Sequence, residues 1–333
     1  MEKMFQSKKI LITGGIGFIG SNLALSCFKK GANVTILDNC DFHSGANLYN
    51  IKPIQKEVIF LNHDIRNEKV LAKILTNTDI IFHCAAHTSH PGSMEDPFMD
   101  LDINARGTLV LLESVRKYNP KIQVIYTATS TQVGKMKINP ITELHCEFPC
   151  DIYSAHKSLG EKYMEIYSRV YGINTTSIRL PNVYGPRAVI SSSEFGFINY
   201  FIGLALSGKP IPLYGSGNQH RSVLYIEDVV DALLRTIGKR GKGEVYFVSS
   251  SDFPTVYTIA KSIERIVGGK IKKMQWPKDR KKIEVGNVYI DDRKFRNKFN
   301  WNPEVSLREG LKATKEYYHS CLSHYIKDSA INL

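Results

Sequence analysis

The sequence lacks the marks of several specialised classes of protein. Its six cysteines are scattered through 333 residues without paired spacing, which excludes a disulfide-stapled miniprotein and indicates a reducing, cytoplasmic setting. No uninterrupted apolar run approaches the ~18 residues of a membrane span. The first apolar stretch is broken by glycines and has no small-residue cleavage site after it, so we expect neither a signal peptide nor a membrane anchor. Internal repeats and low-complexity tracts are missing too.

What is present fits a folded globular chain with excess positive charge. Hydrophobic residues make up 43% and charged residues 23%, and 44 Lys and Arg against 32 Asp and Glu give a net charge of +12. The basic clusters at 239–242 and 270–282 accompany neither a nucleic-acid-binding module nor interleaved aromatics. We therefore expect no nucleic-acid partner. The lysines are interpreted as a solvated surface, with which an anionic small-molecule substrate is compatible.

Strand and helix patterns alternate along the first half of the chain. Short apolar runs at 9–13, 33–37, 58–61, 79–83 and 123–126 predict strands. The stretches between them, notably 18–30 and 97–118, have helical spacing. This alternation predicts an α/β fold of the Rossmann type, a doubly wound parallel sheet with helices on both faces.

After about residue 180, prolines and glycines break this rhythm. We expect a helix at 226–237, a strand at 244–248, and a last helix at 306–326 whose N-cap is Ser306, followed by Glu309. The sequence therefore predicts an NAD-binding domain of residues 1–180 plus about 224–250. A smaller, discontinuous substrate lobe would comprise residues 181–223 plus 251–333.

A glycine-rich turn joins the first predicted strand to the first helix. Gly14, Gly17 and Gly20 let the backbone approach a pyrophosphate at the helix N-terminus, although a purely structural turn has the same spacing. The second strand ends at Asp38, where a carboxylate can accept hydrogen bonds from both ribose hydroxyls of NAD and would repel the 2′-phosphate of NADP. The sequence therefore predicts NAD. The Asp64–Ile65 pair, after the third strand, either holds the adenine or caps the strand end.

Tyr153 and Lys157 lie one turn apart at the start of a predicted helix. A free tyrosine, with a pKa near ~10, is a poor base at neutral pH. A neighbouring ammonium and a positive nicotinamide ring would together lower that pKa. Tyr–Lys pairs with this spacing also occur on solvated helix faces, so the pair alone decides nothing. The pair does not stand alone, however, because Thr129 lies in the polar segment after the 123–126 strand.

With these motifs in order, the chain resembles the extended short-chain dehydrogenase/reductase superfamily. Within it, the chain is most similar to the NAD-dependent sugar-nucleotide epimerase/dehydratase family and, there, to the UDP-glucose 4-epimerases. The resemblance extends over roughly residues 8–318. The matching segments are 13–20, 38–39, 83–86, 104–108, 129–131, 153–157, 179–186, 221–228, and 291 with 301–303, whereas residues 132–134 depart from the family's pattern.

The resemblance implies a role for each matched residue. It assigns catalysis to Thr129, Tyr153 and Lys157. Residues implied in NAD binding are Gly14, Gly17, Phe18, Ile19, Gly20, Asp38, Asn39, Asp64, Ile65, Cys84, Ala85, Ala86, Asn104, Tyr153 and Lys157. Substrate contacts fall on Thr88, Ser93, Thr131, Asn182, Arg221 and Val288, with Lys281 or Lys282 as a further phosphate-binding position. The other polar residues at 87–93, among them His87, Ser89 and His90, either line the sugar pocket or belong to a solvated loop.

The residues that follow Thr129 distinguish between reactions. Where the family's dehydratases and decarboxylases have carboxylates, Ser130 and Thr131 have hydroxyls only, as 4-epimerases do. The resemblance thus implies a 4-epimerase of a nucleotide-diphospho-sugar, acting by hydride transfer from C4 to NAD, a 4-keto intermediate, and hydride return to the opposite face. A nucleotide-sugar 4-dehydrogenase or ketoreductase would use the same residues. A non-catalytic NAD-binding sensor is a third interpretation.

The resemblance also implies an assembly and a metabolic setting. Family members pair through two helices to form a four-helix bundle, and the helices at 97–118 and 151–171 are the candidates here, so we expect a homodimer. The setting would be nucleotide-sugar metabolism and polysaccharide biosynthesis. His145, Cys146, Cys150 and His156 lack the paired spacing of a zinc site, so no metal is expected.

Overall fold

A seven-stranded parallel sheet forms the centre of the molecule. The computed structural model describes residues 5–239, 241–278, 281 and 284–326. The strands are β1 (Lys9–Thr13), β2 (Asn33–Asp38), β3 (Ile59–Asn62), β4 (Ile80–His83), β5 (Gln123–Thr129), β6 (Asn174–Leu180), β7 (Asn182–Tyr184), β8 (Ile211–Tyr214), β9 (Val223–Tyr225), β10 (Glu244–Phe247) and β11 (Ile271–Met274). The strand order in the central sheet is β10-β6-β5-β4-β1-β2-β3. The predicted α/β fold class is confirmed.

The central strands form because apolar residues follow one another without alternation, as in sheets covered on both faces. All four residues of β4 and all seven of β5 are buried. In the register of the sheet, Thr13 at the end of β1 pairs with Leu37 of β2 and with His83 of β4. The carboxyl ends of these strands therefore lie side by side, at the edge where doubly wound sheets bind ligands.

Helices cover both faces of this sheet. They are α1 (Phe18–Lys29), α2 (Glu68–Leu75), α3 (His90–Glu95), α4 (Pro97–Asp100), α5 (Gly107–Tyr118), α6 (Ile152–Tyr171), α7 (Phe197–Leu206), α8 (Ile226–Arg235), α9 (Val256–Ile266), α10 (Arg293–Phe299) and α11 (Leu307–His319). The side chain of Asp151 caps α6 by accepting the Ser154 N–H, and the helix ends before the left-handed Gly172. Within the described ranges, no helix combines the length and apolar character needed to cross a bilayer.

Two helices differ from the sequence prediction. The helix predicted at 97–118 is interrupted by a π-helical turn, Leu101–Arg106, between α4 and α5. The side-chain amide of Asn104 in this turn pairs with the backbone of His87, a contact that hydrophobic periodicity cannot reveal.

The last helix ends at His319 instead of Ile326. The chain continues through a 3-10 turn, Leu322–His324, which allows the Tyr317 and Tyr325 hydroxyls to hydrogen-bond at 2.6 Å. The start of this helix agrees with the prediction, because Ser306 and Glu309 form the expected capping box.

The chain leaves the central sheet after β6 and returns to it with β10, which pairs in parallel with β6. Outside that sheet, β7 pairs with β9 and β8 pairs with β11. Helix α8 packs against α1, on the central sheet. We propose on this basis the division expected from the sequence, with residues 1–180 plus 224–250 as one domain and 181–223 plus 251–333 as the second lobe.

Candidate active site

A single cleft at the carboxyl ends of β1, β2, β4 and β5 contains most of the predicted site residues. Those that line it are Gly14, Gly17, Phe18, Ile19, Gly20, Asp38, Asn39, Asp64, Ile65, Cys84, Ala85, Ala86, Thr88, Thr129, Thr131, Tyr153, Lys157 and Asn182. Parallel strands deliver their carboxyl ends to one edge, so residues far apart in sequence meet here. The structure thus brings the residues predicted for cofactor binding and for catalysis into one cleft.

The glycine turn forms a surface of bare backbone in this cleft. A Cβ at Gly14, whose φ is +67°, would lie 2.7 Å from the amide nitrogen of Ala85, and a Cβ at Gly20 would overlap the Gly14 carbonyl. Helix α1 has Gly17 as its N-cap and no side-chain cap, so its first amides stay available to a ligand. Bare backbone leading to an open helix N-terminus fits the diphosphate of a dinucleotide such as NAD.

Asp38 lies at the end of β2, on the wall of the cleft. Its two carboxylate oxygens accept the backbone N–H groups of Ile16 at 3.2 Å and of Cys40 at 3.0 Å. Burial raises the pKa of Asp38, and those two hydrogen bonds oppose the rise. Each carboxylate oxygen can accept a second hydrogen bond. Asp38 can therefore still receive ribose hydroxyls, as predicted for an NAD site.

Asp64 is held by an arginine of its own loop. Its carboxylate accepts the Nε and a terminal nitrogen of Arg66, each at 2.8 Å, and Arg66 also reaches Asp102 at 2.9 Å. These hydrogen bonds hold the pKa of Asp64 below its usual range. Asp64 and the neighbouring Ile65 both line the cleft, so a role in holding the adenine stays a prediction.

A line of hydrogen bonds fixes the ends of β1 and β4 beneath the glycine turn. The Ala85 N–H donates to Thr13 Oγ1 at 3.2 Å, and Thr13 Oγ1 lies 2.8 Å from His83 Nδ1. On the other side, His83 Nε2 lies 3.0 Å from Thr108 Oγ1, which donates to the Asn104 carbonyl at 2.6 Å. Because the Thr108 proton is used there, His83 donates from Nε2 and accepts at Nδ1. Burial and a nearby ammonium lower the pKa of His83 to about 3, so the ring stays neutral.

A row of hydroxyls leads to the predicted catalytic tyrosine. Ser154 Oγ donates to Thr131 Oγ1 at 2.9 Å, and Thr131 Oγ1 lies 2.9 Å from Thr129 Oγ1. Thr129 in turn hydrogen-bonds the Tyr153 phenol. Ser154 donates to Thr131, and either hydroxyl can be the donor in the bond between Thr131 and Thr129. When Thr131 donates, the Thr129 proton is available to an oxygen beside Tyr153. The row can stabilise a phenolate or a sugar oxygen held against it.

Without a bound cofactor, the pKa of Tyr153 is raised. Burial raises its pKa above the usual value, the charges of Asp151 and Asp100 raise it further, and only the Thr129 hydrogen bond lowers it. The sequence predicted a pKa lowered by Lys157 and the nicotinamide ring. In the protein alone burial outweighs that lysine, because a phenolate without solvent is costly. The positive ring of the cofactor is left to lower the pKa.

Lys157 is almost completely buried, at 3% exposure, next to this tyrosine. Its Nζ lies 4.1 Å from the centroid of the Tyr126 ring. Burial lowers the pKa of Lys157 to about 7, although the charges of Cys84, Asp100 and Glu161 oppose the change. The ammonium is thus close to the point of losing its proton at neutral pH, and an anionic or hydroxyl-rich ligand beside it would favour the charged form.

Ser93 and Asn104 do not line the cleft. Ser93 is fully buried, accepts the backbone N–H of Tyr153 at 3.0 Å and donates to the His90 carbonyl at 2.8 Å. Asn104 accepts the N–H of His87 at 3.0 Å and donates to its carbonyl at 2.9 Å. Both side chains therefore position the elements that form the cleft.

Arg221 and Val288 are not among the residues that line the cleft either. Arg221 forms an ion pair of 2.5 Å with Glu284 and donates to the carbonyls of His220 and Gly286. Val288 belongs to a small apolar cluster with Val133, Ile141, Phe247 and Ile290. Sequence order alone could not indicate these partners. Lys281 is exposed, and Lys282 lies outside the described residues.

The far wall of the cleft is formed by two segments outside the predicted site residues. This wall includes residues 41 and 44–46, which follow β2, and Val189 and residues 194–198 from the second lobe. Gly45 has a φ of +85° and a Cβ there would lie 3.2 Å from the Phe195 ring, so the two segments meet closely. Runs of serine and glycine at 191–196 are the only local signal.

Of the polar residues at 87–93, Thr88 and His90 line the cleft, whereas His87, Ser89 and Ser93 are buried.

The cysteine–histidine segment before α6 is not arranged around a metal. His145 Nε2 accepts the backbone N–H of Lys137 at 3.0 Å, and its Nδ1 contacts the Cys146 carbonyl at 2.5 Å. In the part of the chain that the structure describes, no group of three or more His, Cys, Asp or Glu could hold a metal ion.

Comparison with known proteins agrees with this geometry. A Methanocaldococcus jannaschii protein provisionally named a UDP-glucose 4-epimerase is 33% identical over 304 residues, covering 91% of this chain and 96% of its own. The Thermotoga maritima UDP-glucose 4-epimerase, solved with UDP-glucose, is 31% identical with a TM-score of 0.84, over 94% of this chain and 99% of that one. A Bacillus anthracis dTDP-glucose 4,6-dehydratase, solved with NAD, is 26% identical with a TM-score of 0.84, over 96% and 99%.

A family model that matches most of the chain identifies the family. The model of the NAD dependent epimerase/dehydratase family matches residues 10–249, which include the glycine turn, the hydroxyl row, Tyr153 and Lys157. Together with the fold and the glycine turn before α1, this match identifies NAD as the cofactor. The chain belongs to the NAD-dependent epimerase/dehydratase family of sugar-nucleotide enzymes.

Proposed function

We propose that the protein is a 4-epimerase of a nucleotide-diphospho-sugar. The observation that carries this proposal is the row of hydroxyls beside Tyr153, in which Thr129 and Thr131 hydrogen-bond each other at 2.9 Å. Elimination of water needs a further acid and base at the sugar, and the residues after β5 offer only the hydroxyls of Ser130 and Thr131. Family relatives with dehydratase names share the fold, but this segment favours a reaction that needs no additional carboxylate.

The residues of the cleft can perform each proton step of an epimerisation. Bound NAD supplies a hydride acceptor, a positive charge next to Tyr153, and the hydride that returns to the other face of the sugar. Tyr153 accepts the proton of the sugar 4-hydroxyl during oxidation and returns it during reduction. Thr129 donates to the same oxygen and stabilises charge on it. Lys157, buried beside Tyr153, would hold the nicotinamide ribose and favour the phenolate.

No second substrate is required, because the electrons taken from C4 return to C4. This separates an epimerase from a 4-dehydrogenase or ketoreductase with the same residues, in which the ketone is released or supplied. We propose Asn182, Thr88 and Thr131 as substrate contacts, because they line the cleft. Arg221 stays a predicted diphosphate contact, although in this structure its guanidinium pairs with Glu284 at 2.5 Å.

The test is incubation of the NAD-loaded enzyme with UDP-, GDP-, CDP- and dTDP-sugars, scored by NMR. We expect inversion at C4 of one class without added NAD and without accumulation of NADH at 340 nm. Tyr153→Phe should abolish inversion, and His319→Leu, at an exposed position on the last turn of α11, should not. Stoichiometric NADH would instead indicate a dehydrogenase, and a dehydrated product would contradict the proposal directly.

We also propose that two copies pair through α4–α5 and α6. Large apolar side chains on these helices are exposed in the single chain, among them Phe98 at 79% and Val170 at 60%. Light scattering after gel filtration should give twice the 37.6 kDa of one chain. Val170→Glu should yield monomers, whereas Tyr257→Glu, at an exposed aromatic on α9, should leave the dimer intact. A monomeric wild type would refute the pairing.

A further inference from the structure

His90 is an accessible titratable side chain beside the catalytic tyrosine. It is the first residue of α3 and lines the cleft. Its ring meets the Tyr153 ring edge-on, with centroids 4.8 Å apart and an interplanar angle of 74°. The His90 side chain is 32% exposed, while Lys157 on the other side is almost fully buried. A ligand whose reacting atom meets Tyr153 would therefore also meet the imidazole.

Asp151 fixes the orientation and the tautomer of this imidazole. His90 Nδ1 lies 2.8 Å from Asp151 Oδ2, and the other carboxylate oxygen, Oδ1, accepts the Ser154 N–H at 2.8 Å as the cap of α6. Burial raises the pKa of Asp151, but the hydrogen bond and charge of His90 and the capping hydrogen bond bring it below the usual value. An ionised carboxylate only accepts, so Nδ1 carries the proton.

The second ring nitrogen of His90, Nε2, is left for a ligand. Within the described ranges, Nε2 has no hydrogen-bond partner in the protein. The two neighbouring histidines are used differently: His87 and His156 each bond one oxygen of the fully buried Asp100, at 2.8 and 2.7 Å. Of these three neighbouring histidines, His90 alone lines the cleft, and it presents a ring nitrogen that is oriented and without a partner in the described part of the chain.

We propose that His90 is a specificity-determining residue that binds an oxygen of the sugar through Nε2, with Asp151 as its positioning residue. The inference rests on the proposed function, since it takes the sugar to be the group at Tyr153. The neutral ring accepts from a sugar hydroxyl at Nε2, and a protonated ring donates to a sugar carboxylate there. In both cases the ligand atom is a sugar oxygen. Substitution of Asp151 can show whether that oxygen belongs to a hydroxyl or to a carboxylate.

Asp151→Asn is the informative variant because it reverses one hydrogen bond and keeps another. Asparagine is as good an N-cap as aspartate, so its oxygen should still accept the Ser154 N–H. Its NH2 group then faces His90 and donates to Nδ1, which moves the ring proton to Nε2. The variant should fold with α6 intact and should present a donor to the sugar where the wild type presents an acceptor.

Binding to the NAD-loaded enzyme separates the sugar from the nucleotide. The probes are UDP-glucose, UDP-glucuronate and UDP, or the set for whichever base the panel above identifies. His90→Leu should weaken the nucleotide sugar about three- to tenfold relative to wild type and leave the nucleoside diphosphate within twofold. His319→Leu serves as the control and should change neither. Asp151→Asn should shift the binding preference from UDP-glucose toward UDP-glucuronate. In 15N NMR of this variant, the signal of His90 Nε2 should change from that of an unprotonated to that of a protonated ring nitrogen.

These experiments distinguish a failure of the proposed 4-epimerase function from a failure of the proposed role of His90. If the panel shows no turnover and no nucleotide sugar binds, the proposed function fails and this inference fails with it. If turnover is normal and His90→Leu binds both ligands as wild type does, only the role of His90 is refuted. Equal weakening of UDP and UDP-glucose would also refute it, since that pattern reports a structural effect. Should His90→Leu not fold, an Nε2 signal in wild type that responds to UDP-glucose and not to UDP supports the contact, and an unchanged signal overturns it.

Discussion

Replacement of Lys157 by methionine should stabilise the protein while it destroys activity. A shift of the Lys157 pKa from its usual 10.5 to about 7 corresponds to a cost of about 5 kcal/mol for keeping the charged side chain buried. Methionine fills similar space without a charge, so it removes this cost. Lys157 is only 3% exposed, so solvent screening does not reduce the figure greatly.

The sign of the effect can be followed through pH. The unfolded chain keeps this lysine charged up to its usual pKa of 10.5, whereas the folded chain releases the proton above about 7. Between these values the unfolded state binds more protons, so this group makes the wild type more stable as pH rises. The advantage of Lys157→Met should accordingly be greatest, at most about 5 kcal/mol, at pH 6 and should fall by about 3 kcal/mol on going to pH 9.

The assay is urea unfolding of nucleotide-free protein at pH 6 and pH 9. The quantity compared is the difference in the free energy of unfolding between wild type and variant. Lys162→Met is the matched control: it lies on the same helix, is 44% exposed, and meets Glu147, Glu161 and Glu165 at 3.4 Å. Lys162→Met removes an ion pair with the exposed Glu165, while the more buried Glu147 and Glu161 keep Arg179 as their partner, so stability should change by no more than about 1 kcal/mol. A Lys157→Met variant that is less stable than wild type at pH 6, or whose advantage does not depend on pH, would show that the buried charge of Lys157 does not destabilise the folded state.

Three further predictions concern the cleft and its support. Thr129→Val should lower kcat about ten- to a hundredfold with little change in NAD binding, and Thr129→Ser should recover most of the loss in steady-state assays. Gly20→Ala should weaken NAD binding and lower the melting temperature, because the added Cβ would overlap the Gly14 carbonyl; unchanged calorimetric affinity would contradict this. Arg179→Met should destabilise by about 3 kcal/mol in urea, since the buried Glu161 would lose Arg179, whose Nε it bonds at 2.9 Å, and keep only Lys162 at 3.4 Å. An additional Glu161→Leu change should recover most of that stability.

The parts of the molecule that could be predicted from the sequence depend on short-range patterns. Strand β1, the glycine turn and the start of α1 follow from neighbouring residues, and the register of a parallel sheet then places Asp38 at the same edge. Tyr153 and Lys157 are one helical turn apart, so one helix brings both to the cleft. The sequence could not show that burial, instead of the lysine, dominates the pKa of Tyr153, because burial depends on the whole fold.

The positions that the structure places elsewhere depend on distant partners. Arg221 pairs with Glu284 across 63 residues, and Ser93 accepts a hydrogen bond from Tyr153 across 60. No periodicity links such residues, and a motif only marks a position without giving its neighbours. His90 shows the same limit: its polar loop was recognised, but its pairing with Asp151 across 61 residues was not.

The line of hydrogen bonds through His83 has a consequence for how tightly a cofactor is kept. It ties the backbone at Ala85 and at Asn104 to β1 and β4 with a single tautomer, so these segments are already hydrogen-bonded in place without a ligand. A ligand that binds there freezes few backbone torsions, and its conformational-entropy cost is small. Preorganisation of this kind mainly slows dissociation. A slowly leaving dinucleotide is what a self-reversing oxidation needs, because the same molecule must still be in place when the sugar has turned.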